Sequence, residues 1–172
     1  AHILPQRFRT APRPVLVNSW ESLYFDFDEE KILNIVRHAK EAGIELFVLD
    51  DGWFGHRKND STSLGDWYAN PEKLPSGVEG IADKINALGL KFGIWVEPEM
   101  ANPVSELLEK HPDYPIACRK HPPVLGRNQQ VLDLTKREVV EFAKSFLDKL
   151  LSCGKISYIK WDMNRSMAEI TE

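Results

Sequence analysis

Cysteine is scarce: the chain has two, Cys118 and Cys153, too few and too far apart for a disulfide scaffold or a CxxC zinc site, so both are expected to be free thiols. No run of about 18 apolar residues occurs, so no membrane partner is expected. Basic residues are in deficit, with a net charge of -4 and a pI near 5.8, which argues against nucleic acid or anionic lipid as a partner. His2, His38, His56, His111 and His121 show no HxH or HExxH spacing, and GxGxxG and Walker sequences are missing, which leaves neither a zinc centre nor a nucleotide fold with a pattern to rest on. A starting methionine and a signal-peptide core are also missing: the chain opens Ala1-His2-Ile3 and is expected to start inside a longer protein. No segment assigns a compartment, and the cytoplasm is the default expectation.

What is present suits a folded domain. The 172 residues are 42% apolar and 28% charged, enough for one core and short of the roughly 250 residues of a complete (β/α)8 barrel. Residues 1–12 read as a linker or the tail of a preceding domain. From there, apolar strands alternate with amphipathic helices. Strands are expected at Val15–Trp20, Ile44–Leu49, Lys91–Val96 and Ile156–Asp162, and helices after Asp28, from about Gly77, from Asn102 to about Lys110, and from Asp133 toward Gly154. Helices end at Gly43, Gly89 and Gly154, the residue type that a helix C-terminus prefers. The proline-rich segment 113–134 is expected to be a long loop or a short hairpin insertion. Strand–helix alternation implies right-handed crossovers and a parallel α/β sheet whose strands all end on one edge. At this spacing, four strands make the first half of a TIM barrel, residues 13–172.

The strands finish in acid. Asp50-Asp51-Gly52-Trp53 ends the second, Glu97-Pro98-Glu99 the third and Trp161-Asp162 the fourth, and in a parallel sheet these ends meet where ligands bind. Side chains alternate along a strand, so Lys160, Asp162 and Asn164 point one way, and Trp95 shares a parity with Glu97. A lysine beside a carboxylate favours its ionised form, as a nucleophile requires; the same pair also serves as a salt bridge closing a strand. Asp50 and Asp51 suit neighbouring sugar hydroxyls, or a turn cap. Trp20, Trp67 and Trp161 adjoin a carboxylate, and Trp53 follows Asp51-Gly52. An aromatic face beside an acid suits a sugar ring.

Asn18-Ser19-Trp20-Glu21, Leu49-Asp50-Asp51-Gly52-Trp53-Phe54-Gly55, Gly65-Asp66-Trp67, Gly93-Ile94-Trp95-Val96-Glu97-Pro98-Glu99-Met100, Gly126-Arg127-Asn128-Gln129 and Lys160-Trp161-Asp162-Met163-Asn164-Arg165 together resemble the α-galactosidases of glycoside hydrolase family 36. The likeness runs in order from Arg13 onward. It implies a (β/α)8 catalytic barrel and a retaining hydrolase of terminal α-galactosides such as melibiose and raffinose-type sugars, with no metal or organic cofactor and homo-oligomers at full length. By the same resemblance Asp162 is the nucleophile. Lys160 and Asn164 contact the substrate, Asp50 and Asp51 hold galactose hydroxyls, Trp20 and Trp95 wall the sugar subsite, Trp53 lies near the rim, and Arg127 reaches in from a loop. The acid/base of that family comes from a later strand, so it is expected outside this chain.

Three alternatives remain open on sequence grounds: a Mg²⁺-dependent barrel enzyme using the strand-end carboxylates, a raffinose synthase-type galactosyltransferase, and an inactive sugar-binding fragment. Alone, the chain is expected to lack activity and to pair through its open strand edges, with the remainder of the same polypeptide or with a second copy. Leu46, Val48, Phe92, Ile94 and Ile159 are expected to line one interior face.

Overall fold

A computed structural model describes residues 5–117 and 121–168. Cys118, His2 and the ends of the two expected segments lie outside the described residues, and Cys153 is a free thiol. Four parallel strands form one sheet in the order β1 (Leu16–Asn18), β2 (Leu46–Leu49), β3 (Lys91–Val96), β6 (Ile156–Trp161). β3 is central and buried after its first residue, as a near-continuous apolar run should be in a parallel sheet. The longer helices between the strands are α2 (Glu29–Glu41), α3 (Gly77–Ala87) and α5 (Arg137–Leu151).

Each helix forms for readable reasons. Asp28 caps α2 by accepting from Lys31 N at 2.8 Å, acids occupy its first turn and His38 and Lys40 its last, complementing the helix dipole. Its buried residues Ile32, Val36 and Ala39 recur at helical spacing and pack with Ile81, Ala82 and Ile85 of α3 against Phe47, Leu49, Phe92 and Ile94 of the sheet. α5 buries only Val139 fully; Phe142, Phe146, Leu147 and Leu150 are half-covered.

Register divides the five residues expected on one interior face. Phe92 stands beside Phe47, and Ile94 beside Leu49 and Ile159, all in the helix-covered core. Leu46 and Val48, although buried, belong to the opposite face, where Val48 neighbours Asn18, Gly93 and, across a bulge at Phe92/Gly93, Tyr158. Parity within one strand does not fix parity between strands; register does. Gly93 is required there: a Cβ would meet Tyr158 Cβ at 3.0 Å and Val48 Cγ2 at 3.1 Å.

Three local expectations change. The first strand stops at Asn18, and Trp20 opens a short helix, α1 (Trp20–Leu23). The helix expected from Asn102 starts later, as α4 (Glu106–Lys110), because Ser105 is the residue that caps it, accepting from Leu108 N. Segment 113–134 combines the two forms expected for it: it is mostly loop, with antiparallel bridges Pro115–Leu132 and Gly126–Gln129, and its β5 (Gln130–Val131) pairs antiparallel with β4 (Met100–Ala101), outside the segment. Asp133 caps a turn through Thr135, and α5 begins after Lys136.

Candidate active site at the strand ends

The carboxyl ends of β1, β2, β3 and β6 bring Asn18, Asp50, Trp95, Lys160 and Asp162 together. Lys160 Nζ donates to Asp50 Oδ2 at 2.7 Å, and Asn18 Nδ2 donates to the same oxygen at 2.5 Å. Asp50 Oδ1 accepts from Asp51 N at 3.0 Å. Three strands are thereby tied through one carboxylate that is only 3% exposed.

Asp162 is more open than Asp50. Its Oδ2 accepts from Trp95 Nε1 at 3.0 Å and from Asn164 Nδ2 at 2.9 Å, and its Oδ1 accepts from Met163 N at 3.0 Å. Partial burial pushes this carboxyl up, but the hydrogen bonds from Trp95, Asn164 and Met163 together with the Lys160 charge outweigh it and hold Asp162 below the usual carboxylate range. An ionised, partly exposed carboxylate fixed by three donors is equipped to attack an electrophilic carbon.

Asp51 faces a different partner. Arg57 grips it at two points, Nε to Oδ1 at 2.7 Å and Nη2 to Oδ2 at 2.6 Å, while the guanidinium lies 5.6 Å from the Phe25 ring centre and 5.5 Å from that of Phe54. Burial pushes the Asp51 carboxyl up against the pull of Arg57. A carboxylate has about four acceptor positions, so Asp50 and Asp51 both keep capacity for a hydroxyl. Lys73, whose burial lowers it to about 8, donates to the carbonyls of Gly52 and Arg57 at 2.8 and 2.9 Å and closes the turn that follows the two acids.

Arg127 sits at a two-residue turn in which both Arg127 and Asn128 have positive φ, 54° and 58°, with Gln129 N bonded to Gly126 O at 3.0 Å. Non-glycine residues adopt this backbone only when their surroundings impose it. Asn102 imposes it here: Nδ2 donates to Asn128 O at 2.7 Å while Oδ1 accepts from Arg57 Nη1 and Leu64 N at 3.0 and 2.8 Å. The Arg127 side chain is exposed.

The tryptophans separate. Trp95 touches Asp162 directly. Trp20 is half-buried, edge-on to Tyr24 and Phe25, and its backbone N–H donates to Asn18 Oδ1 at 2.8 Å, which sets it beside the Asn18–Asp50 contact. Trp53 is not at a rim: it is 1% exposed and donates from Nε1 to Trp95 O at 2.9 Å, so it supports the β3 end from the core. The turn at Gly52, with φ 105°, reverses the chain and carries the next side chain inward.

Sequence reasoning missed Arg57, Asn102 and Gln129 as parts of the site. They lie in loops without periodicity, and only an alternation-free pairing of a buried acid with a nearby arginine could have pointed to Arg57. Among the described residues no group of three or more His, Cys, Asp or Glu converges as a metal site; Asp50 and Asp51 are instead bonded to Lys160, Asn18 and Arg57.

The family model described as Melibiase matches residues 1–172. The chain belongs to the melibiase family. Alpha-galactosidase AgaA of Geobacillus stearothermophilus is 54% identical over 163 residues, covering 95% of this chain and 22% of that protein. Alpha-galactosidase Mel36A of Lactobacillus acidophilus is 49% identical over 170 residues, covering 99% of this chain and 23% of that protein. The solved structure of AgaA, a family 36 glycoside hydrolase, matches with a TM-score of 0.92 over 95% of this chain and 23% of that one; a variant of AgaA solved in complex with raffinose matches with a TM-score of 0.89 over 92% and 22%. The chain thus spans less than a quarter of the length of these melibiase relatives. Its four parallel strands and their helices correspond to part of the barrel-containing fold of these relatives. Among the described residues no helix is long and apolar enough to cross a membrane.

Proposed function

We propose that residues 13–172 form the first half of the catalytic barrel of a retaining α-galactosidase, with Asp162 as nucleophile and a segment outside these residues supplying the acid/base. The observation that carries the reading is the Asp162 carboxylate, which is held ionised by Trp95, Asn164 and Met163 at the end of a strand beside Lys160 and Asp50. The names of the relatives and the raffinose complex of one of them supply the sugar class.

In this mechanism Asp162 attacks the anomeric carbon of a terminal α-galactoside while the second carboxyl, about 5 to 5.5 Å away, protonates the departing oxygen. Water then releases galactose with its configuration retained. Lys160 and Asp50 hold hydroxyls of the ring, Asp51 adds an acceptor stiffened by Arg57, Trp20 and Trp95 flank the sugar, and Arg127 approaches from its strained turn. Glu97 is not assigned as the acid/base, because it is 0% exposed and turned to Asn164 and Gln129.

The test uses the full-length protein and raffinose. Asp162→Ala should remove nearly all galactose release while leaving galactose binding measurable. An inverted product, or an Asp162→Ala protein that turns over at close to the unmodified rate, contradicts the assignment.

A further inference from the structure

Glu97 follows β3 directly, two residues after Trp95, and is fully buried next to the site, bonded to Asn164 and Gln129. Its Oε1 accepts from Asn164 N at 2.5 Å, and its Oε2 accepts from Gln129 Nε2 at 3.2 Å. Asn164 in turn donates from Nδ2 to Asp162 Oδ2 at 2.9 Å. Gln129 follows the Arg127 turn, where Asn102 fixes the backbone and Arg165 Nη1 donates to Gln129 O at 2.8 Å.

We infer that Glu97 is a positioning residue for the galactosidase reaction proposed above: anchored by Gln129, it fixes the backbone of Asn164 so that the Asn164 amide holds Asp162 in the orientation for attack. The inference rests on that reading of Asp162. Two features of the geometry carry it. First, residues 163–165 lie beyond the last strand hydrogen bond to β3, Asp162 N to Val96 O at 2.9 Å, so no regular structure orients Asn164. The Glu97 carboxylate is its backbone anchor, and a two-oxygen acceptor is what can serve Asn164 and Gln129 at once. Second, the arrangement is costly. Burial pushes the Glu97 carboxyl up, with the charges of Asp162 and Asp51 adding to the effect, and Gln129 Oε1 is buried without a partner among the described residues. Stability alone would be served better by an apolar pair of similar shape.

Glu97 acts through Asn164, so its loss should alter turnover more than binding. Misplacing a reacting group by about 1 Å can cost on the order of 100-fold in rate. In the full-length protein, Glu97→Ala is expected to lower kcat on raffinose by about 100-fold with KM within about threefold, since Lys160 and Asp50 keep their contacts. Glu97→Asp, which withdraws the carboxylate by one methylene and leaves little cavity, is expected to lower kcat at least tenfold and carries the test if the alanine variant does not fold. Glu97→Gln is expected to recover kcat to within about threefold, because its carbonyl still accepts from Asn164 N and its amide can donate to a turned Gln129 Oε1. Adding Asn164→Ala to Glu97→Asp should cost no more than the worse single change, since both act on one path. If Glu97→Asp turns over normally, or if Glu97→Gln is as impaired as Glu97→Ala, the positioning role is wrong. Unmodified protein that fails to release galactose, or Asp162→Ala that still releases it, instead overturns the underlying reaction.

Discussion

Arg57 is 1% exposed and spends its guanidinium on Asp51, Thr62 O and Asn102. Removing one member of a buried pair leaves the other charged and unpaired, at a typical cost of about 3 to 5 kcal/mol. Arg57→Met is therefore expected to lower unfolding stability by roughly that amount in denaturant titration, and a loss under about 1 kcal/mol would show that the pair is not holding the loop. Asp51→Leu added to Arg57→Met should restore part of the stability, while galactose binding stays impaired. Asp50 gives a different outcome. It is joined to Lys160 and Asn18, and hydrogen bonds to charged groups contribute about 1.5 to 3 kcal/mol. Asp50→Asn should weaken galactose binding by about 10- to 150-fold, measured by calorimetry on the full-length protein; galactose and glucose binding both unchanged would reduce Asp50 to a turn residue. The acids and Lys160 stand out in sequence because they end apolar runs. Arg57 and Asn102 do not, since their partners are set by how two loops fold over the sheet.

Among the elements, α2 and α3 are clipped together by Glu29. Its Oε1 accepts from Ser76 N at 2.7 Å and from Ser76 Oγ at 2.5 Å, and Oε2 pairs with Lys84 Nζ. Burial pushes Glu29 up, but the bonds from Lys84 and Ser76 outweigh it and lower its pKa from 4.5. A lowered native pKa stabilises the fold fully above the unfolded value and loses that contribution as pH falls through the native one. Glu29→Gln should thus lower the thermal midpoint at neutral pH, by roughly 1 to 2 kcal/mol in stability, and the gap to the unmodified protein should close as pH falls through and below the ordinary carboxylate range. A gap independent of pH would mean that the charge contributes nothing. The helices themselves were legible, because Ile32, Val36 and Ala39 or Ile81, Ala82 and Ile85 repeat at helical spacing and glycines stop each run. The face of each strand was not: β2 and β3 pair regularly with Phe47 beside Phe92, so Leu46 and Val48 fall on the other face, and that register leaves no mark in composition. Trp53 was misplaced for a related reason, since a tryptophan after a turn can point to solvent or to the core and only the φ of Gly52 decides.

At the scale of the whole molecule, β1 and β6 are hydrogen-bonded within the described residues on one side each, and Leu16, Tyr158, Trp161 and Met163 are exposed around these edges. Unpaired strand edges with apolar neighbours template pairing with further chain. Residues 1–172 on their own should therefore sediment as dimers or larger species and release no measurable galactose from raffinose; a stable monomer with full activity would contradict the half-barrel reading. In the proposed reaction the strand ends carry the nucleophile, Asp162. The most direct test of that role is peptide mass spectrometry of the full-length protein after reaction with a fluorinated galactosyl fluoride, which slows release of a covalent intermediate. The expected result is one galactosyl adduct, on the peptide containing Asp162. An adduct on any other carboxylate, or active enzyme that never forms one, would contradict the account.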